Sequence, residues 1–160
     1  MRFYVDEQAT RETGQYFVIK YKTTISSYFE LYASTETINP NGNDMVIMDA
    51  KKNLYVNDGE WQIAIIDLSK ATNKNGVEGR GFNSSDDGKF YAKVMRFDLF
   101  NSRGAQSTGE GVTIGFIATT DDFASAVTFD NSVPYVNFYD GTSTVKYDTS
   151  TGDVYAPPAE

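Results

Sequence analysis

Residues 15–24, QYFVIKYKTT, carry the pattern that decides the fold of this chain. Phe17, Ile19 and Tyr21 fall on one side of an extended backbone, because successive side chains of a β-strand point to opposite faces. The two lysines of the stretch fall on the other side. An apolar face opposite a charged face indicates a β-strand that is half buried.

Further strand-like runs follow along the chain. Residues 28–34, YFELYAS, alternate in the same way, and residues 61–68, 90–100 and 112–119 are rich in aromatic and β-branched side chains. Clusters of Asn, Gly, Asp and Ser separate the runs, as in residues 57–59, NDG. Short strands punctuated by such turns predict an all-β fold, a two-sheet antiparallel β-sandwich of the jelly-roll kind.

Two positions depart from the strand pattern. Residues 120–126 offer Thr120 as an N-cap, two acids in a first turn and helix-tolerant alanines, which predicts one short helix within residues 121–126. Gly115 interrupts the strand-like run 112–119. A glycine at such a place predicts a β-bulge or a close approach of two backbones.

The size of the chain, 160 residues and 17.8 kDa, fits one domain with one sizeable core. We therefore expect a single β-sandwich domain over residues 1–160. Its first residues and its last five, APPAE, are typical of boundaries cut from a larger multidomain protein. The 11 Tyr, 11 Phe and one Trp suit a pleated sheet, and they also offer flat faces on which a ligand could stack.

Charge and residue types exclude several classes of function. A net charge of −8 without a Lys/Arg cluster argues against nucleic acid and anionic membranes as partners, and leaves neutral sugars, cations and basic surfaces. The chain has no Cys and no His, which excludes Cys/His zinc sites, thiol nucleophiles and Ser-His-Asp triads. No apolar run approaches the roughly 20 residues that span a bilayer.

Trp61 is the only tryptophan, and an exposed tryptophan is a frequent platform for a sugar ring. It alternates with Ile63 and Ile65, however, which predicts that all three side chains point into the core. The residues predicted to be mostly buried are Phe17, Ile19, Tyr21, Phe29, Leu31, Trp61, Ile63, Ile65, Val94, Ile114 and Phe116.

Two trios, each a hydrogen-bonding residue flanked by two tyrosines, are the candidate sugar-binding residues. The first lies opposite an apolar stripe in residues 28–34 and should therefore face solvent, and the second has the same character. A tyrosine offers a sugar both a stacking face and a hydroxyl group. The alternative is that a loop or solvent covers these faces. The candidates are Tyr28, Glu30, Tyr32, Tyr135, Asn137 and Tyr139.

The acidic loops raise the question of a structural calcium ion at the edge of the sandwich. The oxygen ligands available at loop spacing are those of Asp86 and Asp87, or of Asn41, Asn43 and Asp44. An Asp-Asp-Gly sequence is above all a turn, and no EF-hand pattern is present. No residue is therefore assigned as a metal ligand.

Four phrases occur in an order seen in one known family: Tyr16–Lys22, residues 59–61 leading to 66–69, Val94–Asp98, and residues 112–118. Over roughly residues 16–139 the chain resembles bacterial jelly-roll domains of the galactose-binding-like, carbohydrate-binding-module type. Such modules are appended to secreted carbohydrate-active or cell-surface proteins of clostridia-like gut bacteria. The phrases are strand cores and not ligand signatures, so they bear on fold more than on function. The resemblance implies an extracellular or cell-surface parent with neighbouring domains, and a polysaccharide or glycan as ligand.

The sequence therefore favours a non-catalytic carbohydrate-binding module that targets a larger extracellular protein to a glycan. The alternative is a structural spacer or adhesion domain of a bacterial surface protein with no small ligand. An enzyme ranks third, because carboxylate pairs of the glycosidase kind arise trivially among 22 acids in 160 residues.

Overall fold

The computed structural model describes residues 2–4, 11–25, 30–34, 56–70, 90–98, 111–139 and 143–158. Within these ranges the chain is mostly β, with one short α-helix, α1, and a 3₁₀ turn at Leu68–Lys70. The strands are β1 (Arg2–Tyr4), β2 (Arg11–Glu12), β3 (Tyr16–Lys22), β4 (Glu30–Ser34), β5 (Trp61–Asp67), β6 (Tyr91–Ala92), β7 (Val94–Asp98), β8 (Thr113–Thr120), β9 (Tyr135–Tyr139) and β10 (Thr144–Asp148). The predicted mostly-β class is confirmed.

The strands form a five-stranded sheet in the order β10-β9-β5-β3-β8, a three-stranded sheet in the order β1-β7-β4, and a two-stranded ribbon of β2 and β6. Among the described strands, every pair is antiparallel except β5 with β9, which are parallel. The prediction of purely antiparallel sheets is therefore wrong in the larger sheet. The chain reaches β9 from β5 by the long connection of residues 68–134, and a connection of that length leaves the strand direction free, unlike a hairpin.

The five-stranded sheet is buried on both faces. On one face, Phe17, Ile19, Ala64 and Ile66 form the first core cluster with Leu31 of β4, Ala92 of β6 and Met95 of β7. On the other face, Val18, Ile63, Ile65, Val136 and Phe138 form the second core cluster with Ala126 and Val127 of α1. The uninterrupted apolar run of residues 63–66 is typical of a strand that is covered on both sides.

Most of the predicted core is buried, namely Phe17, Ile19, Tyr21, Leu31, Ile63, Ile65 and Val94. Ile114 and Phe116 are partly buried and pack against the two core clusters. Phe29 lies outside the described residues. Trp61 is exposed, so its assignment to the core is wrong.

The predicted helix exists, with shifted ends. Helix α1 spans Phe123–Val127, one residue past the predicted range, and its N-cap is Asp122 and not Thr120. The Asp122 carboxylate accepts hydrogen bonds from the Ser125 amide at 2.8 Å and from the Ser125 hydroxyl at 2.5 Å. Thr120 is still the last residue of β8, so the helix can begin only after it.

Candidate functional site

Tyr32, the one member of the first tyrosine trio whose side chain the structure describes, is not exposed. Tyr32 is only 6% exposed, and the Arg96 guanidinium lies 4.4 Å from the centre of its ring. Val94, which shares that face of the three-stranded sheet, is also buried, so this face is covered as well and the predicted exposure of Tyr32 is wrong. Glu30 is the first residue of β4 and pairs with Asp98, and Tyr28 lies outside the described residues.

The second trio lies on β9, and its central residue is buried. Asn137 is 1% exposed, and its side-chain amide donates hydrogen bonds to the Gln62 side-chain oxygen at 3.2 Å and to the Ile63 carbonyl at 3.4 Å. Gln62 in turn donates to the Asp58 carboxylate at 3.0 and 3.2 Å. The prediction that Asn137 faces solvent is wrong, because it lies in register with Ala64, on the side of the first core cluster.

The two tyrosines that flank Asn137 are half-buried and already have partners in the fold. Tyr139 packs against the first core cluster. The Tyr135 ring has the Lys146 ammonium 4.2 Å from its centre and the Tyr155 ring at 4.9 Å. These contacts attach residues 153–155 to the edge of the sheet, where the Tyr155 amide also donates to the Lys146 carbonyl at 2.8 Å. The trio is therefore part of the framework.

Trp61, in contrast, is 37% exposed at the start of β5. Its indole reaches across β3 as far as Gly115 of β8: a Cβ atom added to Gly115 would lie 3.2 Å from Cζ3 of the indole and 3.0 Å from Cγ and Cδ of Lys20. Ile63 and Ile65 belong to the second core cluster together with Ala126 and Val127 of α1, whereas Trp61 does not. More than a third of the Trp61 side chain is therefore left to solvent.

The predicted bulge at Gly115 is confirmed, and it lies directly beside the indole. Lys20 pairs with Phe116 and Tyr21 pairs with Ile114, so Gly115 is the extra residue between the two pairs. A bulge of this kind bends a strand and re-aims its neighbours. The absent side chain leaves room on the sheet for the indole and for the Lys20 stem.

Lys20 contacts both the indole and the loop that follows α1. Its ammonium lies 5.3 Å from the centre of the Trp61 ring, 2.7 Å from a carboxylate oxygen of Asp130 and 2.5 Å from the hydroxyl of Ser132. The second carboxylate oxygen of Asp130 accepts the Ser132 amide at 2.7 Å. Hydrogen bonds, first from Lys20 and then from Ser132, lower the pKa of Asp130 to about 2, so this carboxylate stays ionised at neutral pH.

Phe129 adds a second exposed ring beside the ion pair. Its side chain is 58% exposed and packs at 4.9 Å, tilted by 60°, on Phe116, which is opposite Lys20 in register. The members Trp61, Lys20, Phe116, Phe129, Asp130 and Ser132 together form one patch, which we call the indole surface. The indole surface thus combines two exposed aromatic rings with a connected group of hydrogen-bonding atoms.

The chemistry of the indole surface is suited to binding a sugar. An aromatic face packs on the apolar C–H face of a sugar while hydroxyl and carboxylate oxygens accept its O–H groups. No group of three metal-ligating side chains occurs among the described residues, and the acidic loop residues Asn41, Asn43, Asp44, Asp86 and Asp87 lie outside them.

Sequence reasoning missed this surface because it treated two halves of one face separately. Lys20 was assigned to a polar face of β3, and Trp61 with Ile63 to an apolar face of β5. In the sheet these faces are the same one, since Lys22 pairs with Trp61 and Lys20 with Ile63. The sequence signal for this surface is that β5 begins with the single tryptophan and pairs with β3, which ends with two lysines on one face.

In comparisons with known proteins, no family model, no curated protein and no solved structure matches the chain. In the described ranges, no helix has both the length and the apolar character needed to cross a membrane. The indole surface is therefore interpreted from its own geometry.

Proposed function

We propose that the chain is a non-catalytic carbohydrate-binding module whose ligand stacks on Trp61. The observation that carries the proposal is the exposed indole, laid across the sheet by Lys20 and Gly115. A large apolar ring left open to water costs free energy unless a ligand covers it. Its neighbours are hydrogen-bonding groups, which favours a ligand that is apolar on one side and polar at its rim.

A pyranose ring has this mixed character. Its C–H groups pack on an indole or phenyl face, and its hydroxyls hydrogen-bond to atoms at the rim of the contact. In the indole surface Asp130 and Ser132 provide such atoms. Because each ring contact contributes only about 1 kcal/mol, the module binds weakly and through several contacts together.

The proposal includes a jelly-roll β-sandwich as the finer architecture. The first core cluster supports it, since Ile19 of the five-stranded sheet and Leu31 and Met95 of the three-stranded sheet share that cluster. Two sheets that bury one common layer of side chains are the basis of a sandwich. Such a module serves a larger bacterial protein, outside the cell or on its surface, by holding neighbouring domains near a polysaccharide.

The test is calorimetry of the purified chain against soluble neutral polysaccharides, including β-glucan, xylan, mannan and galactan. Trp61→Ala and Phe129→Ala should each weaken binding about fivefold, the factor expected for the loss of one ring contact of about 1 kcal/mol. Tyr135→Ala is the matched control, because it removes an aromatic ring that lies on the opposite face of the sheet. It should leave the affinity unchanged.

Two results would contradict the proposal. If binding survives in Trp61→Ala and is lost in Tyr135→Ala, the ligand occupies the tyrosines and not the indole surface. If calorimetry of the native chain shows no heat of binding with any glycan, the proposal of carbohydrate binding is wrong. A spacer or adhesion domain is then the better interpretation.

A further inference from the structure

The ammonium of Lys20 is engaged by groups of the protein itself. An ammonium group has three N–H donors, and two of them serve Asp130 and Ser132. The ammonium also lies 5.3 Å from the centre of the Trp61 ring. The charge of Lys20 is thus held by contacts within the protein.

The charges around the platform also cancel. Lys20 and Asp130 form an ion pair within the indole surface. Lys22, directly opposite Trp61 in register, and Glu60, the residue before it, are both exposed and carry opposite charges. Around this neutral patch the chain as a whole has a net charge of −8, which repels anions.

We propose that Asp130 determines the charge class of the glycan. By holding the Lys20 ammonium, it restricts the indole surface to neutral sugars, so that sugars with carboxylate or sulfate groups are excluded. This inference rests on the proposed function and makes it specific. The Asp130 carboxylate stays ionised at neutral pH, so Lys20 stays engaged. Without that carboxylate, Lys20 would stand beside Lys22 with a free ammonium at the edge of the stacking platform.

The experiment compares Asp130→Asn with Glu60→Gln, which change the net charge by the same amount. Only Asp130→Asn releases Lys20, because Asp130 contacts its ammonium. Each protein is titrated with the neutral polysaccharide that binds best and with polygalacturonate, at low and at physiological salt. We expect the native chain not to bind polygalacturonate appreciably. Asp130→Asn should bind it at least about tenfold more tightly than the native chain does, which is the gain that one charge-assisted hydrogen bond allows. The gain should fall with salt.

Further variants identify the source of the gain. Lys20→Met added to Asp130→Asn should abolish the new binding, because the released ammonium is gone. Ser132→Ala removes one of the contacts of Lys20 without changing any charge and should give a smaller gain. Ser132→Ala also tests the proposal if Asp130→Asn proves too unstable to purify.

The possible outcomes separate this inference from the proposed function. Polygalacturonate binding by the native chain, an equal gain in Glu60→Gln, or no gain in either Asp130→Asn or Ser132→Ala would overturn the role of Asp130 and leave glycan binding intact. Absence of binding to every polysaccharide, neutral or acidic, would instead overturn the proposed function itself.

Discussion

At the scale of single residues, Gly115 controls the position of Trp61. A methyl group at this position would come within 3.0 Å of the Lys20 stem and 3.2 Å of the indole. Contacts that short force a neighbour to move by a few tenths of an ångström. Both neighbours belong to the indole surface, so the effect of the substitution is expected there and not in the core clusters.

We therefore predict that Gly115→Ala weakens glycan binding and changes the fluorescence of Trp61, the only tryptophan. The free energy of unfolding should change by less than about 1 kcal/mol, because the displaced groups are partly exposed. Gly111→Ala is the matched control, since a Cβ atom there meets nothing within 4 Å. Emission spectra and calorimetry of the two variants give the answer; identical behaviour would show that Gly115 does not position the indole.

At the scale of elements, helix α1 covers the second core cluster, although it has only five residues, Phe123–Val127. A helix this short is not stable alone and depends on its cap and its packing. We predict that Asp122→Ala lowers the free energy of unfolding by about 1 kcal/mol, because the amide of Ser125 loses its acceptor. Asp122→Ser, which retains a capping oxygen, should cost much less.

Urea unfolding of both Asp122 variants measures the difference. Equal losses in the alanine and serine variants would mean that the carboxylate acts through its charge and not as a cap. No loss in either would mean that packing of Ala126 and Val127 alone holds the helix on the sheet.

The elements also show how far the sequence could predict this molecule. The alternation in Tyr16–Lys22, the acids before Phe123 and the glycine at 115 are local signals, and each gave the correct element. The parallel pairing of β5 with β9 depends on residues that are about 70 positions apart, and no local pattern encodes it. The prediction of the candidate site failed for the same reason, because burial also depends on residues that are distant in sequence. Asn137 is polar, yet Gln62 gives it a buried partner that only the tertiary structure supplies.

At the scale of the whole molecule, β5 joins the two core clusters. Ile65 points into the second cluster and Ile66 into the first, and both are buried. We predict that Ile65→Ala and Ile66→Ala each lower the free energy of unfolding by about 2–5 kcal/mol. Val154→Ala, at an exposed position on the edge of the sheet, should stay within about 0.5 kcal/mol of the parent.

Both isoleucine variants should still unfold in a single step, because one strand carries both clusters. Urea transitions followed by circular dichroism and by Trp61 fluorescence should therefore coincide. Two separate transitions in either variant would show that the two faces of the sheet are independent units.

The parallel pair of β5 and β9 also has a consequence in time. β5 can meet β3 early, but its other neighbour arrives only after residues 68–134 have been placed. Pairing over such a separation in sequence is slow. Before β9 pairs with it, the edge of β5 that contains Ile65 and Ile66 has unpaired backbone N–H and C=O groups, with which a strand of another molecule could pair. We therefore expect that β9 and β10, once paired with β5, close an edge at which copies of the incompletely folded chain could otherwise aggregate.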